Sequence, residues 1–181
     1  LTNIEKRAAT DVKASGRKLT GYVATFGLET RIGDFRETIR AGAFSASLRS
    51  NPDILALVDH DPGKILGRSG SGSLILAEDQ RGLRFELELP DTQLGRDISA
   101  LAARGDIGGM SFGFNVPEGG DEWAGELRTL KAIDLREISI VQAFPAYSGT
   151  SISVRSRYAM TDAARRIRIL ELEGGAYVES V

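Results

Sequence analysis

Between Leu83 and Leu89 every second residue is large and apolar, and Arg84, Glu86 and Glu88 fill the places between. Side chains of an extended strand point alternately to opposite faces, so a period of two fits a half-buried β-strand and not a helix. The run before it, "SLILAED" at 73–79, is joined to it through residues 80–82 and supplies the other arm of a hairpin.

Similar signals recur along the chain. "LTGYVATFG" at 19–27 alternates and is rich in β-formers, and "DILALVD" at 53–59 reads as a buried strand that stops at the turn residues of "HDPGKILG". Further strands are expected at "GGMSFGFNV" (108–116), "LRTLKAI" (127–133), "LREISIVQA" (135–143) and "GTSISVR" (149–155), with "PEGGDEWAGE" as the most exposed loop between them. Two segments take a helical period instead. "ETIRAGAFSASLRS" at 37–50 passes from strand into a short helix with Phe44 and Leu48 four apart. Residues 91–106 place Leu94, Ile98, Leu101 and Ala102 on one stripe, with Asp91 or Thr92 as N-cap and Gly105 at the C-terminal end. The fold class expected is mainly β with flanking helices, α+β.

A chain of 181 residues is long enough for one ordinary domain with a real core. Residues 1–18 are polar and read as a flexible lead-in or an edge strand, residues 19–156 as the body, and residues 157–181 as a partly helical tail with a basic cluster and a Gly-Gly break. With 41% hydrophobic and 27% charged residues the balance is that of a soluble globular protein. The formal charge of -2 gives no basic field for a phosphate backbone, so nucleic acid is not an expected partner. The absence of cysteine rules out disulfides, thiolate chemistry and Cys-based zinc sites. No apolar run reaches membrane-spanning length and the N-terminal stretch lacks the apolar core of a signal peptide, so neither a membrane nor export is expected.

The residues that carry chemistry cluster around Ser111. On a strand, Met110, Phe112 and Phe114 share one face, while Ser111, Gly113 and Asn115 share the other, which is stripped of bulk. That face is either open to a substrate backbone, as attack on a peptide carbonyl requires, or a site where glycines permit a bend. A serine near neutral pH needs a base, and His60 is the one histidine. His60 reads as that base, as a solvated turn residue, or, with Asp59 and Asp61, as part of a metal site; neighbours on an extended chain point apart, which disfavours the last. The G-x-S-x-G match at 109–113 is not an α/β-hydrolase elbow, because no histidine follows it. Glu137 lies on the alternating strand "REISIV" with Ser139 on its face and Ile138 and Ile140 on the other. It is either an outward-facing glutamate or the carboxylate that orients His60.

The stretches "GYVATFG", "ETIRAGAFSASL", "LALVDHDPGKILGR", "RGLRFELELP", "ARGDIGGMSFGF" and "LREISIVQAFPAYSGTSI" run in order across about residues 20–153 and together resemble the head maturation (prohead) serine proteases of tailed phages and phage-derived elements. That family is similar in fold and logic to the herpesvirus assemblins, so the resemblance implies a single β-barrel ringed by a few helices. It implies His60 as base, Ser111 as nucleophile and Glu137 as third member, where assemblins have a second histidine. It implies oxyanion-hole N–H groups near Ala146 and Tyr147 and no cofactor or metal. The activity implied is that of a serine endopeptidase cutting scaffold or capsid-protein segments, and itself, inside immature capsids in the host cytoplasm. Its partners would be the major capsid protein with its scaffold segment, and further copies of itself. Two rival readings are a catalytically inactive β-barrel scaffold or capsid-assembly protein and a metal-dependent hydrolase.

Overall fold

A computed structural model describes residues 5–9, 11–51 and 53–142. In chain order the strands are β1 (Glu5–Ala9), β2 (Asp11–Ser15), β3 (Lys18–Thr25), β4 (Thr30–Ile32), β5 (Phe35–Ile39), β6 (Leu55–Val58) and β7 (Asp61–Arg68). They continue as β8 (Leu74–Glu78), β9 (Gly82–Glu88), β10 (Gly109–Asn115), β11 (Asp121–Ala124), β12 (Leu127–Leu130) and β13 (Asp134–Val141). Two α-helices, α1 (Ser45–Ser50) and α2 (Gln93–Arg104), accompany them.

The mainly β, α+β expectation holds. Among the described residues the strands do not close into one barrel; they divide into three sheets, ordered β1-β10-β13-β6-β7, β11-β12-β5-β4 and β2-β3-β9-β8. Only Thr10 separates β1 from β2, so the chain passes directly from the first sheet into the third. The hairpin expected at 73–89 is β8 and β9, antiparallel, with Leu83, Phe85, Leu87 and Leu89 buried. Their apolar face joins Val23 of β3, Phe44, Val58 of β6, Ile98 of α2, Phe112 and Phe114 of β10 and Ile138 of β13 in one core cluster shared by all three sheets.

Helix α2 forms where the apolar stripe lies and is capped as its sequence asks. Thr92 accepts from the Gly95 N–H at 3.2 Å, and Gly105 takes a left-handed φ of 76° while Asp106 N–H reaches back to Leu101 O at 2.9 Å. The segment 117–126 contains β11, paired with β12, where a loop was expected. Trp123 packs edge-on against Phe35 at 5.1 Å between centroids, which gives that stretch an apolar anchor.

The lead-in carries β1 and β2, and β1 is an edge strand antiparallel to β10 with Ala8 opposite Ser111. Four charges hold it to the second sheet. Arg7 Nε is 2.5 Å from Glu37 Oε1, Arg128 Nη1 is 3.1 Å from Glu37 Oε2 and 2.6 Å from Glu5 Oε2, and Arg7 Nη2 is 3.0 Å from Glu5 Oε2. Asp121 adds a further contact to Arg128 Nε at 2.8 Å. Burial alone would lower the Arg128 guanidinium, but its hydrogen bonds and charge pairing with Glu5, with Asp121 and with Glu37 outweigh that and hold it above its ordinary range.

Candidate active site

The side chains singled out in the sequence lie on the first sheet, on the face opposite the core. Strand β10 buries Met110, Phe112 and Phe114 in the core cluster, so alternation turns Ser111 and Gly113 the other way. Strand β13 runs antiparallel beside it, with Ser111 opposite Ser139 and Gly113 opposite Glu137. Directly opposed residues share a face with Cβ atoms about 5 Å apart. Gly113 therefore contributes no side chain across from the Glu137 carboxylate.

Alternation from Ile138 puts Glu137 on this face, and just before it lies an irregularity that the sequence does not announce. Simple alternation back from Ile138 would turn Arg136 inward and Leu135 outward. The β10–β13 register instead steps from Gly113 opposite Glu137 to Phe114 opposite Leu135, which leaves Arg136 as an extra, exposed residue. This bulge keeps Leu135 and Ile138 buried while Glu137 and Ser139 face the other way.

His60 arrives from a third strand. Strand β6 lies parallel to β13, with Leu55 opposite Glu137 and Leu57 opposite Ser139, and ends at Val58. Asp59 and His60 then form a two-residue turn into β7, with Val58 opposite Asp61 and φ values of 50° and 60°. Both central residues at positive φ is the geometry that glycine and asparagine favour in hairpins. Here β13 supplies the restraint: Asp59 N–H donates to Ile140 O at 2.9 Å, and Asp59 Oδ1 accepts from Gln142 N–H at 3.0 Å.

The turn sets the imidazole against Glu137, with His60 Nδ1 2.7 Å from Glu137 Oε1. The backbone N–H of His60 donates to Ser139 Oγ at 3.1 Å, and the Ser139 hydroxyl donates to Glu137 Oε2 at 2.7 Å. The group is sheltered: the His60 side chain is 16% exposed, and Ser111, Glu137 and Ser139 are all buried. Such shelter strengthens each polar contact relative to water.

His60 and Glu137 are thus in direct contact, and Ser111 lies one strand away, opposite Ser139. Ala146 and Tyr147, and the tail from 157 on, lie outside the described residues. The three residues of the "DHD" stretch turn to different partners: Asp59 to Gln142 N–H, His60 to Glu137, and Asp61 to Gly63 N–H at 2.8 Å. Among the described residues no three histidine, cysteine or acidic side chains gather as metal ligands would. No α-helix among them is long and apolar enough to cross a membrane. Ser139 was not singled out for a role from the sequence, although its place two residues after Glu137 on the same face was the signal that could have done so.

A serine, an imidazole and a carboxylate on one face of neighbouring strands are the ingredients of a serine hydrolase. The family model for the caudovirus prohead serine proteases matches residues 2–164, and the chain belongs to that family. It is a serine protease of phage head maturation, and its working surroundings are capsid and scaffold proteins within the procapsid. No curated protein and no solved structure matches the chain.

Proposed function

We propose that the chain is an endopeptidase in which Ser111 is the nucleophile, His60 the general base and Glu137 the group that orients His60. The observation that carries this reading is the 2.7 Å contact between His60 Nδ1 and Glu137 Oε1 on the sheet face to which Ser111 belongs. With Nδ1 protonated and held by the carboxylate, Nε2 has a lone pair for the Ser111 proton. As Ser111 Oγ bonds to the scissile carbonyl carbon, that proton passes to Nε2, and Glu137 stabilises the resulting imidazolium. The tetrahedral intermediate collapses by breaking the C–N bond, and the leaving amine takes the proton from Nε2. Water, deprotonated by the same nitrogen, then bonds to the acyl carbon, and as the C–Oγ bond breaks Ser111 takes the proton back from Nε2.

The substrates we assign are scaffold or capsid-protein segments and ends of the protease itself, cut inside proheads in the host cytoplasm, with the major capsid protein as partner. Enclosure in a shell raises local substrate concentration, so modest intrinsic affinity is sufficient there. We also read the three sheets as parts of one assemblin-like barrel; the direct passage from β1 to β2 and the shared apolar core support this. Co-expression with the capsid protein, followed by mass spectrometry of the cut ends, tests the activity. Cleavage by wild type and none by Ser111→Ala is expected, whereas equal cleavage by both contradicts the assignment.

A further inference from the structure

His60 meets strand β13 twice, once through its ring and once through its backbone. Nδ1 lies 2.7 Å from Glu137 Oε1, and the His60 N–H donates to Ser139 Oγ at 3.1 Å. The circuit is closed by the Ser139 hydroxyl, which donates to Glu137 Oε2 at 2.7 Å. One hydroxyl therefore receives the backbone of the base and grips the carboxylate that grips its ring.

The hydrogen bonds have a direction. A serine hydroxyl has a single proton, and here it goes to Glu137, while its lone pair accepts from the His60 N–H. An ionised carboxylate only accepts, so its second oxygen, Oε1, accepts a hydrogen bond from the Nδ1–H. That assignment puts the imidazole in the tautomer with a bare Nε2. Ser139 is 0% exposed, and loss of its hydroxyl would leave the His60 N–H without its acceptor.

We infer that Ser139 is a positioning residue for catalysis: its hydroxyl locks the left-handed His60 turn to the Glu137 carboxylate and so fixes the ring's tautomer and direction. This rests on the roles given above to Ser111, His60 and Glu137. Three of the turn's anchors come from one short stretch of β13 and the residue after it. Ile140 O receives Asp59 N–H, Gln142 N–H reaches Asp59 Oδ1, and Ser139 Oγ receives His60 N–H. Of these, Ser139 alone also touches Glu137, and it is the one whose removal affects ring and backbone together.

His60 is the sole histidine, so every imidazole NMR signal of the protein belongs to it. The test compares wild type with Ser139→Ala, Ser139→Thr, Ser111→Ala and Glu137→Gln, using a capsid-derived peptide and the Nδ1–H resonance. Hydrogen-bond partners of metal-bound histidines typically matter by about 10- to 100-fold, and the same order is expected for Ser139. Ser139→Ala is expected to lower kcat by that order with KM little changed, and to shift or abolish the Nδ1–H signal. Ser139→Thr, which keeps the hydroxyl, is expected to restore both to near wild type. Should Ser139→Ala not fold, Ser139→Cys, a weak donor of similar size, is expected to show the same loss of kcat and the same change in signal. Wild-type kcat and an unchanged Nδ1–H signal in a folded Ser139→Ala or Ser139→Cys variant, with Ser111→Ala inert, would overturn the role of Ser139 alone. Wild-type rates in Ser111→Ala and Glu137→Gln would instead remove the reading on which it rests.

Discussion

Two polar clusters lie on opposite faces of the sheet that carries β10, and they are built on different plans. On the core side, Arg7 is opposite Phe112 and joins Glu5, Glu37 and Arg128 in a closed ring of full charges, two positive and two negative. On the other side, Ser111, Ser139, Glu137 and His60 combine two hydroxyls, one carboxylate and one imidazole. Each charge of the ring has opposite charges on either side, so its charges are balanced within the ring itself. In the second cluster Nδ1 carries the imidazole's contact, and Nε2 makes no hydrogen bond among the described residues. A cluster that holds strands together balances all of its groups, whereas the one proposed for catalysis leaves an imidazole nitrogen without a partner among the described residues.

Substitutions can break this contrast, and the largest effect belongs to the site. His60→Asn keeps a residue that tolerates the left-handed turn but supplies no base. Peptide cleavage is expected to fall by on the order of a million-fold, as when a triad histidine is lost elsewhere, with the urea midpoint near wild type. Measured kcat/KM and an unfolding curve check both halves. Glu137→Gln comes next, because the amide keeps the size, loses the charge and favours the wrong tautomer; a loss of about ten-thousand-fold is expected. Near-wild-type rates for Glu137→Gln and Glu137→Ala in folded protein would exclude the orienting role.

The ring is expected to behave the opposite way. Glu37→Ala removes the carboxylate between Arg7 and Arg128, each of which keeps Glu5, and should cost about 1.5–3 kcal/mol of stability. In the fraction that remains folded, Ser111 should keep its reactivity, since the ring lies on the other face. Equilibrium urea denaturation with activity measured at low denaturant separates these outcomes, and an unchanged midpoint would contradict the account of the ring.

The smallest effect belongs to an exposed cluster. Asp79 accepts from the Tyr22 hydroxyl at 2.6 Å, and that bond, followed by the N–H of Arg81, holds its carboxyl below its ordinary value of 3.8. A carboxyl lowered by folding stabilises the protein above its unfolded pKa, and this contribution is lost as pH falls through the folded value. Asp79→Asn should therefore reduce stability slightly at neutral pH and leave it equal to wild type in strong acid. Midpoints at pH 7 and pH 2.5 check the sign.

The parts legible in the sequence are those set by local period. Alternation put Ser111 opposite in face to Phe112, and Glu137 opposite to Ile138, and the Thr92 and Gly105 caps marked α2. Long-range pairing was not legible. Arg128 meets Glu5 across 123 residues, and β12 lies parallel to β5; neither leaves a mark in nearby sequence. The bulge at Arg136 was hidden because a register shift depends on the partner strand as much as on its own. Ser139 was visible as a face-mate of Glu137, but its grip on His60 depends on a turn whose positive φ values no glycine announced.

The most direct measurement is covalent labelling by a fluorophosphonate, read by intact mass and peptide mapping, in wild type, His60→Asn and Glu137→Gln. A single adduct on Ser111 is expected in wild type, none on the same timescale in His60→Asn, and a strongly slowed one in Glu137→Gln. An adduct on another residue, or Ser111 labelled equally fast in all three proteins, would contradict the proposed triad.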